Sequence, residues 1–195
     1  MTEQQWDRKL NINTIGRDAS KEDSYHYPYE PTPYCVLERL IQSDYLSRDS
    51  IVIDYGCGKG RVGFFLNKKL NCRAIGIDFD EKMYLSALEN KKNYGNQSQI
   101  QFICMDAENY EILNADSFYF FHPFSIEILR AVIGKIRKSY YANPREIKLF
   151  FYYPSDEYVS LLMSISDLCF LDEIDCQDLF EGKNKKERIL IFEMI

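Results

Sequence analysis

The chain predicts an α/β fold of the Rossmann-like, doubly wound kind, built on a mostly parallel sheet. Three observations carry this expectation. Short apolar runs alternate with amphipathic stretches from Ile51 onward, the pattern that βαβ units of roughly ten to fifteen helical residues leave in a sequence. A glycine-rich turn, Gly56-Cys57-Gly58-Lys59-Gly60, closes the first of these runs. Acidic residues recur where successive runs end, at Asp54, Asp78 and Asp106, and open parallel sheets receive ligands beyond the carboxyl ends of their strands.

Taken in order, residues 1–32 are polar, rich in tyrosine and without clear period. They read as an N-terminal extension before a single domain over 33–195. Thr32-Pro33 resembles an N-cap followed by a first-turn proline. The helix so opened, over 33–46, would place Val36, Leu37, Leu40 and Ile41 on one stripe. Residues 51–55 form the first strand, and the helix after the glycine turn carries Val62, Phe65, Leu66 and Leu70. A second strand over 73–78 leads to a helix over 82–94, with Met83, Leu85 and Leu88 apolar. Strands over 99–105 and 116–121 follow. The helix over 126–140 shows Ile126, Leu129, Val132, Ile133 and Ile136 at helical spacing. A fifth strand over 146–152 precedes a helix over 155–166, opened by Ser155 and the acidic pair Asp156-Glu157. Residues 170–177 and 188–194 read as two late strands.

Composition narrows the class. A chain of 195 residues suits one domain that buries about 70% of its unfolded surface. Lys and Arg number 24 against 30 Asp and Glu, a net charge of -6, which gives no global attraction to phosphate backbones. The 6 cysteines contain no C-x-x-C pair; four sit beside apolar or strand-like residues and read as buried thiols in a reducing setting. No apolar h-region follows Met1 and no run approaches the length of a membrane span, so a soluble, cytoplasmic protein is expected. No metal-ligand motif is visible.

The run Asp54-Tyr55-Gly56-Cys57-Gly58-Lys59-Gly60-Arg61 lets backbone N–H groups approach a ligand closely. It is not the usual dinucleotide fingerprint, because Arg61 stands where a third spaced glycine would be needed, and no glycine is followed by Lys and Ser or Thr as a phosphate loop requires. Arg61 suits a ligand that carries its own carboxylate. Asp78, closing the second strand, can accept hydrogen bonds from both hydroxyls of a ribose. Asp106 could receive an exocyclic amine, with Met105 or Ala107 lining an apolar slot for a purine.

With these motifs in this order, the sequence resembles the class I S-adenosylmethionine-dependent methyltransferases over about residues 33–195. The resemblance implies a seven-stranded sheet whose last strand is antiparallel, and S-adenosyl-L-methionine as cofactor. It places Asp54, Gly56, Gly58, Gly60, Asp78, Asp106 and Ala107 at the cofactor, with Asp54 supporting the loop and the methionine amino end.

The acceptor end is less determined. Phe120-Phe121-His122-Pro123-Phe124 resembles the Asn/Asp-Pro-Pro-aromatic segment of family members that methylate planar nitrogens, but histidine replaces the carbonyl-bearing side chain and one proline is missing. His122 is a candidate proton acceptor or a loop-holding residue. Phe124 and Tyr153 are the further acceptor-side candidates, because the fourth and fifth strands should open on one side of the sheet. The run Tyr25-His26-Tyr27-Pro28-Tyr29-Glu30-Pro31 could fold over the mouth as a lid or form a surface wrap.

The reading is a methyltransferase acting on a small molecule or a protein side chain. A noncatalytic adaptor with the same fold, an NAD-dependent oxidoreductase and a nucleic-acid N-methyltransferase are the rivals. The last needs a basic face, for which Lys135, Arg137, Lys138, Arg145 and Lys148 are the dense candidates. They are expected to lie away from the cleft. Acceptor and oligomeric state stay open.

Overall fold

A computed structural model of the chain describes residues 1–95, 99–182 and 184–195. Seven strands form one sheet: β1 (Ile51–Tyr55), β2 (Arg73–Asp78), β3 (Ile100–Cys104), β4 (Ser117–Phe120), β5 (Lys148–Tyr152), β6 (Leu168–Asp175) and β7 (Arg188–Met194). Their spatial order is β3-β2-β1-β4-β5-β7-β6. Strands β1 to β5 pair in parallel, whereas β7 runs antiparallel to both β5 and β6. The order reverses between β1 and β4, and a crevice therefore opens beyond the tip of β1. The seven-stranded, doubly wound sheet with an antiparallel last strand is as expected.

Alternation along the strands divides the core between the two faces of the sheet. Val52, Tyr119 and Phe150 pack on one side with α2 (Tyr34–Ile41) and α3 (Arg61–Leu70). Ile53, Phe118 and Leu149 pack on the other with Leu129 and Ile133 of α5 (Ile126–Ala142). The remaining helices are α1 (Glu3–Leu10), α4 (Glu81–Tyr94) and α6 (Asp156–Met163). Ser155 caps α6 as expected, its hydroxyl accepting from the Tyr158 N–H at 3.2 Å.

Several local expectations are corrected. Residues 1–32 are not featureless: Thr2 and Gln5 form a reciprocal capping box that opens α1. Trp6, 1% exposed, is stacked on Tyr34 and edge-on to Phe65. Thr32 does not cap α2. Its hydroxyl is drawn to the buried Tyr119 hydroxyl at 3.2 Å, and Pro33 takes the cap position. That helix ends at Ile41, short of residue 46, and Asp44 beyond it has a left-handed φ of 59°. Of the cysteines, Cys57, Cys72 and Cys176 are buried, Cys35 is half-buried, and Cys104 and Cys169 are exposed, so three rather than four are buried thiols. Among the described residues no helix is long and apolar enough to cross a membrane.

Candidate active site

The glycine turn leaves β1 and is held against β2: the N–H groups of Gly56 and Cys57 both donate to the Ile77 carbonyl, at 2.9 and 3.1 Å. Gly56, Gly58 and Gly60 all have positive φ, at 72°, 52° and 87°, where a Cβ is disfavoured. A Cβ on Gly60 would lie 2.4 Å from the Phe102 ring, and one on Gly56 equally close to Pro123. The turn thus fits closely between the tips of β3 and β4.

Asp78 ties the turn to the next strand. Its Oδ2 accepts from the Gly58 N–H at 2.7 Å and its Oδ1 from the Asp80 N–H at 2.9 Å. Burial pushes its carboxyl up to about 6 despite both bonds. Asp54, one strand over and 5% exposed, has no hydrogen-bond donor among the described residues. Burial, and secondarily the charge of Asp78, push it up to about 8. A buried carboxyl without a donor is unfavourable as an anion and is poised to ionise when a cation arrives. Asp106 is exposed at the lip, and Ala107 begins a single 3-10 turn, Ala107–Asn109.

These groups border a cavity of about 400 Å³. Asp54, Gly56, Asp78, Asp106 and Ala107 all line it, as does Phe124 on the far side. The predicted cofactor residues are therefore brought together, with Gly58 and Gly60 shaping the turn behind them. Phe79, Met83 and Phe121, which the sequence did not mark as site residues, also line it.

Residues 25–31 cross the cavity from β4 to β2. His26 pairs with Phe124 in an antiparallel bridge. The Tyr27 N–H donates to the Pro123 carbonyl at 3.3 Å, and the Ser125 N–H to the Tyr25 carbonyl at 2.7 Å. The His26 ring stacks on Phe79 with centroids 3.8 Å apart, and the Tyr29 hydroxyl donates to the Thr14 carbonyl at 2.5 Å. All seven residues of this run line the cavity.

Two acceptor-side candidates lie elsewhere. The His122 ring is stacked beneath Tyr27, 4.5 Å between centroids, and edge-on to Tyr158; burial holds it below the usual imidazole range. Tyr153 packs on Phe121, and its hydroxyl accepts from Asn184 Nδ2 at 2.7 Å. Both residues precede a proline and have positive φ, 41° and 51°, and both rings are off the described cavity wall. Of the three, Phe124 alone reaches it. Arg61 also departs from expectation. It is 3% exposed and its guanidinium is committed to Glu3, Thr14 Oγ1 and the Thr32 carbonyl, with Asp7 at 3.9 Å. It is not free to receive a ligand's carboxylate.

The basic residues 135–148 have their own partners. Lys135 and Lys138 face Glu111, Arg137 pairs with Asp167, and Lys148 pairs with Glu146. Arg145 donates to the Ala115 carbonyl.

Known proteins align with this architecture. A family profile described as "Methyltransferase domain" matches residues 52–139, the span from β1 into α5. A protein-lysine N-methyltransferase of Saccharolobus islandicus is 37% identical over 71 residues, 36% of this chain and 44% of that protein. A carboxy-S-adenosyl-L-methionine synthase of Shewanella sediminis is 28% identical over 76 residues, 37% of this chain and 31% of that protein. The matched segments thus span less than half of either curated relative. Among solved structures, the Pyrococcus abyssi tRNA (uracil-54, C5)-methyltransferase superposes with a TM-score of 0.62 at 12% identity, over 94% of this chain and 45% of that one. Its likeness is one of fold. The matched profile begins on the strand that carries Asp54 and the glycine turn and covers less than half of this chain; with its mostly parallel sheet and antiparallel β7, the chain has the fold of the class I S-adenosylmethionine-dependent methyltransferases.

Proposed function

We propose that the protein binds S-adenosyl-L-methionine and transfers its methyl group to a small molecule or a protein side chain. The observation that carries this is Asp54: a buried carboxyl facing the cavity, with no donor among the described residues and pushed up to about 8. A ligand ammonium would give it the partner it lacks. A dinucleotide would bring two phosphates toward that carboxyl with Arg61 already committed, which disfavours the oxidoreductase reading. Asp78 keeps lone pairs free beside its two backbone donors and suits ribose hydroxyls. Met105, Asp106 and Ala107 form the wall for a purine.

The bound sulfonium supplies an activated methyl, so the chain's task is alignment and exclusion of water. Phe121, Pro123 and Phe124 shape the acceptor half of the cavity, and residues 25–31 cover it as a lid. The pairing of the basic residues around α5 with carboxylates and carbonyls supports a small-molecule or protein acceptor over a nucleic acid. The protein-lysine N-methyltransferase relative supports a protein side chain. Calorimetric titration with S-adenosylmethionine and with NAD tests the reading. Saturable binding of the first alone is expected; binding of NAD alone would overturn it.

A further inference from the structure

The two ends of the cavity differ in what they offer. At the β1 and β2 tips stand Asp54 and Asp78. Beside the β4 tip, where Tyr25 and Tyr27 pair with Ser125 and Pro123, the lining is aromatic, with Tyr25, Tyr27, Phe121 and Phe124, and the cavity wall also carries Glu22, Glu30 and Glu127. These three glutamates are in no ion pair among the described residues. The basic side chains on the described wall are Lys21 and Arg61, and Arg61 is already held by Glu3 and Asp7. Aromatic faces and unpaired carboxylates around one space favour an organic cation and penalise an anion. Asp54 independently marks the space as one built for a ligand, being buried and without a donor among the described residues.

His26 lies between the two ends. Its backbone is bridged to Phe124 and its ring stacks on Phe79. Its Nδ1 is 3.1 and 3.2 Å from the two oxygens of Asp23. A carboxylate only accepts, so Nδ1 carries the hydrogen and Nε2 of the neutral ring keeps its lone pair. His26 lines the cavity and its side chain is 19% exposed.

Resting on the methyltransferase reading above, we propose that the acceptor is an amine, received as its ammonium between the aromatic rings and glutamates, and that Nε2 of His26 takes its proton. The nitrogen lone pair then bonds to the methyl carbon as the carbon–sulfur bond breaks, its electrons passing to sulfur to leave a neutral thioether. The methylated nitrogen carries the positive charge and His26 holds the first proton until solvent removes it. A free amine metabolite and a lysine side chain share this chemistry.

The test uses the full chain in two parts. Calorimetry with S-adenosylmethionine reports on cofactor binding alone, so its failure strikes the parent reading. With S-adenosylhomocysteine saturating, phenethylammonium and its neutral isostere 2-phenylethanol are then titrated. The cation is expected to bind on the order of tenfold more tightly, and Glu127→Gln to narrow the gap; equal affinity overturns the proposal. Methyl-labelled cofactor and a cell extract give the bond formed. Label in base-stable methylamine groups is expected, in acid-precipitable protein if lysine is the source and in soluble material if a metabolite is. Label released as methanol by mild alkali, or found in ethers or on carbon, overturns it. His26→Ala should lower kcat about tenfold at unchanged cofactor affinity, with part of the rate restored by added imidazole. An unchanged kcat, or a loss that imidazole leaves in place, overturns the role of His26.

Discussion

The half of the cavity assigned above to the cofactor and the half assigned to the acceptor are built differently. The first comes from consecutive strand tips: the glycine turn after β1, Asp78 at the end of β2, and Asp106 just beyond β3. Each is positioned by its own strand, and the first two are tied together by the Gly56 N–H donating to the Ile77 carbonyl and the Gly58 N–H to the Asp78 carboxylate. The acceptor half joins β4 to a segment almost a hundred residues earlier, through Tyr25 to Ser125, Tyr27 to Pro123 and His26 to Phe124. One half is therefore fixed by neighbouring strands. The other depends on contacts between segments far apart in the chain.

That contrast predicts a graded series of effects. Gly60→Ala should be the most damaging, because it places a Cβ against the Phe102 ring at a φ of 87°. A loss of roughly 3 kcal/mol in folding stability is expected by chemical denaturation, and a loss below about 1 kcal/mol would show that the turn yields more readily than the sheet implies.

Asp54→Asn should separate stability from binding. Because folding raises the Asp54 pKa to about 8, its contribution to stability is fully present below the unfolded carboxyl range near 4 and is lost as pH rises through 8. The neutral variant should accordingly gain several kcal/mol over the parent in the ligand-free state at pH 8, at about 1.4 kcal/mol per pKa unit, and little at pH 4. It should lose cofactor affinity by roughly a hundredfold. Denaturation at the two pH values checks the first expectation and titration the second.

Phe121→Ala should act on the acceptor half alone. Transfer is expected to fall on the order of tenfold while the cofactor Kd moves by less than about threefold, measured by steady-state kinetics beside direct binding. The smallest effects belong to the residues off the wall. Tyr153→Phe removes only the bond from Asn184, and His122→Asn keeps a residue that tolerates a left-handed backbone. Each should change transfer by less than about 1 kcal/mol of barrier; a larger loss would return these residues to the acceptor site.

The same contrast explains what could be read from the residues alone. Asp54, Asp78, Asp106 and the glycine turn announce themselves because local backbone demands and strand-end position select those residue types at that spacing. The mostly parallel sheet was legible through alternation of strands and helices, and its antiparallel last strand through the family resemblance. Residues 25–31 could be read only as two alternatives, a cover for the mouth or a surface wrap, since their place rests on contacts with Phe79 and Pro123 and leaves no period. Nor could the spacing show that Glu3 and Asp7 occupy Arg61, or that His122 and Tyr153 turn left-handed before their prolines and place their rings against Tyr27, Tyr158 and Phe121.

The central claim is that Asp54 receives the cationic end of the cofactor, and proton linkage tests it most directly. At pH 7 a carboxyl with a pKa of about 8 is mostly protonated, and pairing with a cation would ionise it. Titration of S-adenosylmethionine in buffers of differing ionisation enthalpy should therefore show release of about one proton on binding. Heat that is the same in every buffer, or no binding at all, would contradict the account.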